Sequence, residues 1–145
     1  RFSGGSRGFS LSHRAASYGG LPKDKFVTGS DESTLVAVQL EDLDAVKNSG
    51  DIAEVGGVDV LFIGPADLSL AIAMSPDSSM DLDTAIEEII SNVKMSEKPL
   101  GIYCPDLALV DRYLGLGFSF FIISTDQELL GSAINSIARE FESRF

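Results

Sequence analysis

Four short runs of almost uninterrupted apolar residues constrain the fold more than any other feature of this sequence. They extend from Leu35 to Leu40, from Val58 to Ile63, from Leu100 to Tyr103 and from Phe118 to Ile123. Continuous Val, Ile, Leu and Phe without alternation is typical of strands that are buried on both faces, as in a parallel sheet covered by helices. We therefore predict four strands of a parallel sheet.

Helical patterns separate and follow these runs. Apolar residues recur every three or four positions from Leu82 to Met95, and again after Pro105, which we expect in a first helical turn. A shorter helix is predicted from Asp42 to about Lys47, and the last helix opens at 125–128 with a capping-box pattern. The resulting order, β-α-β-α-β-α-β-α, predicts right-handed βαβ units.

Two architectures accommodate this order: an open doubly wound sheet and half of a (β/α)₈ TIM barrel. Typical barrels contain about 250 residues, so the 145 residues of this chain would cover a little more than half of one. Hydrophobic periodicity alone does not distinguish the two architectures. Residues 1–20 are rich in Gly and Ser and are predicted to form a loop.

Composition excludes several classes of partner. The formal net charge of −11 argues against nucleic acid and against an anionic membrane surface, and no apolar run approaches the roughly 18 residues of a membrane span. Cys104 is the single cysteine, so we expect no internal disulfide and a reducing, cytoplasmic location. The chain starts at Arg1 rather than Met, so we expect a fragment, and an upstream targeting segment stays an open alternative.

Two carboxylates follow neighbouring predicted strands. Glu41 comes directly after the first strand and Asp67 comes shortly after the second. In parallel α/β folds the carboxyl ends of neighbouring strands meet at one edge of the sheet, where chemistry is concentrated. Two convergent carboxylates with room for water suit a hard cation such as Mg²⁺. The alternative is that both side chains simply cap helices.

The segment from Gly64 to Ser69 is a candidate anion site. Gly64 allows the backbone to approach a ligand closely, and Pro65 suits the start of a helix. The following N–H groups, of Ala66 and Asp67, would then be available to a carboxylate. An ordinary Gly-Pro turn is the alternative reading of this segment.

Taken together, these segments resemble the HpcH/HpaI aldolase family. The similarity is carried by Leu-Val-Ala-Val-Gln-Leu-Glu at 35–41 and by Gly-Val-Asp-Val-Leu-Phe-Ile-Gly-Pro-Ala-Asp-Leu-Ser at 57–69. Segments 98–102 and 117–121 are similar to later strands, and the Ser-His-Arg-Ala segment at 12–15 is similar to the branch that acts on sugar diacids. The resemblance implies that residues 1–145 are a partial barrel domain containing strands five to eight.

The resemblance also implies a site. Glu41 and Asp67 match the family's metal ligands, for Mg²⁺ or alternatively Mn²⁺ or Co²⁺. Gln39 matches a substrate-contacting glutamine, and Gly64 with the amides of Ala66 and Asp67 matches the loop that holds the pyruvyl carboxylate. The family's catalytic histidine and arginine belong to its N-terminal half, so no catalytic residue is assigned here, and the fragment alone is expected to be inactive.

The implied activity is metal-dependent aldol cleavage of a 4-hydroxy-2-oxo acid, by a homo-oligomer that is a hexamer in the family. A related CoA-thioester or citrate-type lyase and a truncated non-catalytic paralogue remain alternatives. His13, the single histidine, does not match the catalytic one and is expected to be a solvated loop residue. Cys104 is expected to be a buried structural thiol.

Overall fold

The structure is a computed structural model that describes residues 2, 4–6, 8–75 and 79–145. It divides the chain into two compact units, residues 1–36 and residues 37–145. The first unit contains a 3₁₀ helix, Arg14–Gly19, and helix α1, Lys23–Ser33. The sequence predicted a loop for residues 1–20, which include the 3₁₀ helix, and no element for the residues of α1. Neither helix has a strong apolar stripe.

The second unit alternates strands and helices along its whole length. Its elements are β1 (Ala37–Leu40), α2 (Leu43–Lys47), α3 (Ser49–Glu54), β2 (Val60–Ile63), α4 (Pro65–Ala73), α5 (Leu82–Val93), β3 (Leu100–Cys104), α6 (Ala108–Gly115), β4 (Phe120–Ile123) and α7 (Asp126–Glu142). All four predicted strands are present, although three of them begin two residues later than predicted. The residue at which a strand begins is set by hydrogen bonding to the neighbouring strand rather than by hydrophobicity.

The four strands form one sheet in the order β1-β2-β3-β4, and each neighbouring pair is parallel. Sequential neighbours of this kind follow from successive βα units that each advance by one strand. Strand β2 is buried at all four positions, as its unbroken Val-Leu-Phe-Ile sequence predicts. β1 and β4 are the two edges of the sheet within the described residues.

Helix α5 supplies the largest part of the helical layer. Its buried face consists of Ala85, Ile86, Ile89 and Val93, which are the positions of the predicted stripe. Asp81 caps it, since its side chain accepts a hydrogen bond from Thr84 N at 2.8 Å. The helix ends at Val93, two residues before the predicted end.

Helix α6 begins three residues later than expected. Pro105 lies outside it, and Asp106 accepts a hydrogen bond from Ala108 N at 2.8 Å where the helix starts. Helix α7 has the predicted capping box between Thr125 and Glu128. Among the described residues, no helix has the length and apolar content that crossing a lipid bilayer would require.

Candidate functional site

The carboxyl ends of β1 and β2 lie in register. Gln39 pairs with Phe62 and Leu40 pairs with Ile63, so the next residues along, Glu41 and Gly64, follow at the same level of the sheet edge. The pairing continues past the strands, because Gly64 N donates to Leu40 O at 3.3 Å. The two segments singled out in the sequence are therefore neighbours.

The absence of a side chain at Gly64 leaves room for the side chain of Glu41. A methyl group at position 64 would lie 3.2 Å from both Cβ and Oε2 of Glu41 and 3.4 Å from Nε2 of Gln39. Glu41 Oε2 also accepts a hydrogen bond from Gln39 Nε2 at 2.5 Å. Gln39 is thus bonded to the carboxylate that the sequence analysis assigned as a metal ligand, and the glycine keeps the backbone close to both.

Helix α4 starts immediately after this point. Pro65 occupies its first position, and the first intrahelical bond runs from Leu68 N to Gly64 O at 3.0 Å. The N–H groups of Ala66 and Asp67 precede that bond, and first-turn amides have no acceptor within their own helix. Both residues are exposed. Neither amide therefore has an acceptor within α4.

Ser69 takes part in α4 in a different way. Its Oγ donates to Pro65 O at 2.6 Å, one helical turn earlier. The hydroxyl group is therefore engaged with a carbonyl group of its own helix.

A cavity of about 280 Å³ lies at this edge of the sheet. It is lined by Gln39, Phe62, Gly64, Pro65, Ala66, Asp67, Tyr103 and Ile122. Four of the five predicted site residues line it, and the fifth, Glu41, adjoins it through its hydrogen bond to Gln39. None of the eight lining residues is a lysine, arginine or histidine, so the donors that these residues offer to an anion are N–H groups and the hydroxyl group of Tyr103.

The donor set is compatible with a hard divalent cation. Within residues 2, 4–6, 8–75 and 79–145 there is no group of three or more His, Cys, Asp or Glu side chains arranged to bind a metal. Of the five predicted site residues, Glu41 and Asp67 are the two whose carboxylates would hold such an ion. Mg²⁺ is commonly bound in this way, by one or two carboxylates with water and substrate oxygens completing the octahedron.

Tyr103 is a lining residue that the sequence analysis missed. It lies near the end of β3, and its hydroxyl group donates to Glu128 Oε2 at the start of α7. That hydrogen bond raises the pKa of Tyr103 to about 12 and lowers the pKa of Glu128. Its position at the same sheet edge as Gln39 was visible in the sequence, but the partner on α7 was not.

Two other side chains singled out in the sequence, Cys104 and His13, have structural surroundings. Cys104 is fully buried, as expected, and burial raises the pKa of its thiol. His13 is exposed, but its ring also packs against Phe26, with centroids 5.4 Å apart, within the first unit.

The model of the HpcH/HpaI aldolase/citrate lyase family matches residues 5–133. The chain belongs to this family. The match includes both strand ends and the helix start that surround the cavity, so the resemblance drawn from short segments holds over most of the chain. It also decides between the two architectures, because members with solved structures are (β/α)₈ barrels rather than open doubly wound sheets.

Two curated relatives with similar sequences are aldolases. A 5-keto-4-deoxy-D-glucarate aldolase from Citrobacter koseri is 34% identical over 139 residues, which cover 95% of this chain and 53% of the relative. A hydroxypyruvate/pyruvate aldolase from Pseudomonas aeruginosa is 35% identical over 119 residues, covering 81% and 44%. The chain thus spans about half the length of the relatives it matches.

Solved structures agree with the fold. A HpcH/HpaI aldolase/citrate lyase family protein from Burkholderia cenocepacia superposes with a TM-score of 0.79 at 30% identity, covering 95% of this chain and 53% of that one. A HpcH/HpaI aldolase from Desulfitobacterium hafniense has a TM-score of 0.76 at 19% identity, which shows the fold alone. The four-stranded sheet is therefore part of a TIM barrel, as predicted.

Proposed function

We propose that this chain forms the pyruvate- and metal-binding half of a class II aldolase, which cleaves a 4-hydroxy-2-oxo acid into pyruvate and an aldehyde. The activity is proposed for a protein in which the chain is joined to the strands that complete the barrel in its relatives, called the complete barrel below. A sugar diacid such as 2-dehydro-3-deoxyglucarate is the proposed substrate, in line with the names of its curated relatives.

One observation carries this proposal. Gln39, Gly64, Ala66 and Asp67 line a single cavity, and Glu41 is hydrogen-bonded to the first of them. The residues that carry one carboxylate, one amide side chain and two first-turn backbone amides therefore line one cavity, and the second carboxylate adjoins it through Gln39. The cavity lies at the carboxyl end of a parallel sheet, the place where TIM barrels carry their active sites.

Each group has a defined task in this reaction. The amides of Ala66 and Asp67 bind the substrate carboxylate, helped by the partial positive charge at the start of α4. Gln39 orients Glu41 through its Nε2 donor. Glu41 and Asp67 would hold a divalent cation, Mg²⁺, Mn²⁺ or Co²⁺, which when bound supplies polarisation of the C2 carbonyl group.

The cleavage needs no oxidant or reductant. The C4 hydroxyl group gives up its proton as the C3–C4 bond breaks, and C4 becomes the aldehyde carbon. The electron pair of that bond moves toward the C2 carbonyl oxygen, and C3 then takes up a proton to give pyruvate. The family resemblance places the residue that removes the C4 hydroxyl proton in the other half of the barrel.

Substitution of the two carboxylates tests the proposal. Loss of a residue that only supports a metal ligand lowers activity by up to about 100-fold. Because Glu41 and Asp67 are proposed as the ligands themselves, Glu41→Gln and Asp67→Asn should each lower metal-dependent pyruvate release in the complete barrel by at least about this factor. Both should weaken Mn²⁺ binding measured by electron paramagnetic resonance, because a neutral amide is a poorer ligand for a hard cation. The matched control is Asp44→Asn, an exposed carboxylate in the first turn of α2.

The outcome that contradicts the assignment is an Asp67→Asn protein that releases pyruvate at the normal rate while still requiring metal. A citrate-type or CoA-thioester lyase is the second candidate, since the family model includes citrate lyases. It would be favoured if the complete barrel cleaved such a substrate and left 4-hydroxy-2-oxo acids intact. A complete barrel that binds Mn²⁺ but cleaves neither class would favour a non-catalytic paralogue.

The oligomeric state is a separate part of the proposal. Helix α7 has no buried residue, and its apolar side chains Leu129, Leu130, Ile134, Ile137 and Phe141 are all exposed. Exposed apolar surface of this extent is characteristic of protein–protein contacts. We propose a homo-oligomer, and light scattering of the complete barrel should show a mass of several subunits.

A further inference from the structure

The cavity has two ends with different chemistry. Gln39 is on β1, Gly64 and the first turn of α4 follow β2, Tyr103 is on β3 and Ile122 is on β4. Neighbouring strands lie about 4.8 Å apart, so Tyr103 is roughly 10 Å across the sheet from Gln39. A pyruvyl group held at β1 and β2 therefore leaves the β3 side of the cavity to the remainder of the substrate.

The hydroxyl group of Tyr103 is held by a rigid partner. Glu128 Oε2 also accepts hydrogen bonds from Thr125 N at 2.9 Å, from Thr125 Oγ1 at 3.0 Å and from Ser124 Oγ at 3.2 Å. The bond from Thr125 N to Glu128 Oε2 and the bond from Glu128 N to Thr125 Oγ1 form the capping box of α7. The carboxylate that accepts the hydrogen bond from Tyr103 is therefore held by the start of a 17-residue helix.

The direction of this hydrogen bond determines what the pair offers to a ligand. At neutral pH a phenol is protonated and a carboxylate is charged, so Tyr103 donates this bond and Glu128 accepts it. The phenol proton is directed at Glu128, so the lone pairs of the phenol oxygen remain for another donor. A substrate hydroxyl group can donate such a bond, whereas an alkyl group or a carboxylate cannot.

We propose that Tyr103, positioned by Glu128, accepts a hydrogen bond from a hydroxyl group on the aldehyde-derived part of the substrate and so selects hydroxylated over unsubstituted aldehydes. This inference rests on the proposed aldolase function and deepens it by specifying the substrate at the β3 side of the cavity. Glu128 is a positioning residue in this scheme, since it acts through Tyr103.

The test compares two aldehydes of equal carbon number in the aldol direction. In the complete barrel, with pyruvate and Mn²⁺, the ratio of kcat/KM for glyceraldehyde to that for propionaldehyde measures the selection for hydroxyl groups. Tyr103→Phe keeps the ring but removes the acceptor, and should lower this ratio about tenfold, the effect of one hydrogen bond. The change should appear in KM for glyceraldehyde and leave KM for pyruvate unaltered.

A second variant and a control separate this effect from a structural one. Glu128→Gln preserves the capping box, because Gln also serves at that position, and should lower the ratio by a smaller factor by loosening the phenol. Tyr113→Phe is the matched control, since this buried tyrosine packs on Phe118 and does not line the cavity. It should leave the ratio unchanged.

The outcomes are distinguishable. An unchanged ratio in both Tyr103→Phe and Glu128→Gln, in a wild-type protein that does condense pyruvate with aldehydes, overturns the selection role and leaves the proposed function intact. Equal losses with both aldehydes would show that Tyr103 only maintains structure, which also overturns it. A wild-type complete barrel that condenses pyruvate with neither aldehyde overturns the proposed function and this inference with it.

Discussion

Gly101 lies where a single added methyl group has a calculable effect. It is in the middle of β3, in register with Phe62 on β2 and with Phe120 on β4. The two phenylalanine rings meet edge to face over it, with centroids 6.1 Å apart. A Cβ at position 101 would lie 2.8 Å from Phe62 Cδ2, 2.9 Å from Phe120 Cδ1 and 3.2 Å from Phe120 O.

These distances set the size of the perturbation in Gly101→Ala. Carbon atoms reach optimal contact at about 3.5 Å or more, so each ring must move by roughly 0.6–0.7 Å, in a sheet whose backbone cannot easily yield. Overpacking of this kind costs about 1–3 kcal/mol in measured cores. Phe62 also lines the cavity, so the displaced ring should reduce aldolase activity as well as stability.

Urea denaturation of the complete barrel, followed by circular dichroism, provides the measurement. Gly101→Ala should lower the midpoint concentration while leaving the m-value unchanged. Gly131→Ala is the matched control, because nothing lies within 4 Å of a methyl group at that helical position. It should raise stability by up to about 1 kcal/mol, as alanine is the better helix former. Equal midpoints for wild type and Gly101→Ala would refute the packing argument.

Three further results are expected. Ser69→Ala should reduce activity far less than substitution of Asp67, since Ser69 Oγ bonds a carbonyl group within α4, as steady-state kinetics would show. The pKa of Asp81 is lowered chiefly by its hydrogen bonds to Thr84, so its stabilising effect is present above its ordinary pKa of 3.8 and is lost as the pH falls through the lower folded value. Urea denaturation should therefore show that Asp81→Ala is less stable than wild type at neutral pH and equally stable in strong acid. A stability difference that is the same at both pH values would contradict this. The 145-residue chain expressed alone should self-associate and release no pyruvate, because β1 and β4 are open apolar edges and the apolar face of α7 is exposed; a monodisperse monomer in light scattering would count against it.

Several features of the site depend only on local sequence. The unbroken apolar run ending at Ile63 predicts a buried strand, and Gly64-Pro65 after it predicts a chain turn into a helix with free first amides. Glu41 and Asp67 follow their strands by one and four residues, so both had to lie at the carboxyl edge once the strands were parallel. The buried strand and the helix that starts at Pro65 are found as predicted, because backbone geometry and hydrophobic pattern act within a few residues.

Pairings between distant residues could not be obtained in this way. The strand register places Glu41 beside Gly64 and not beside a neighbour of Gly64 in the sequence. This register depends on the whole β1–β2 interface. The bond between Tyr103 and Glu128 joins residues on separate elements, and neither residue predicts the other. The same holds for Gly101, which reads as an ordinary strand residue until Phe62 and Phe120 are found on either side.

The amino-acid sequence by itself determined the order of the elements, the parallel sheet and the edge at which the polar residues collect. It did so because strand and helix periodicities, proline and the capping box express short-range sterics and hydrogen bonding. Only the tertiary structure decided which of those residues share one cavity and that Tyr103 forms part of its wall. Those contacts depend on strand register and on where α7 begins in space, and both are fixed by packing among residues far apart in the chain.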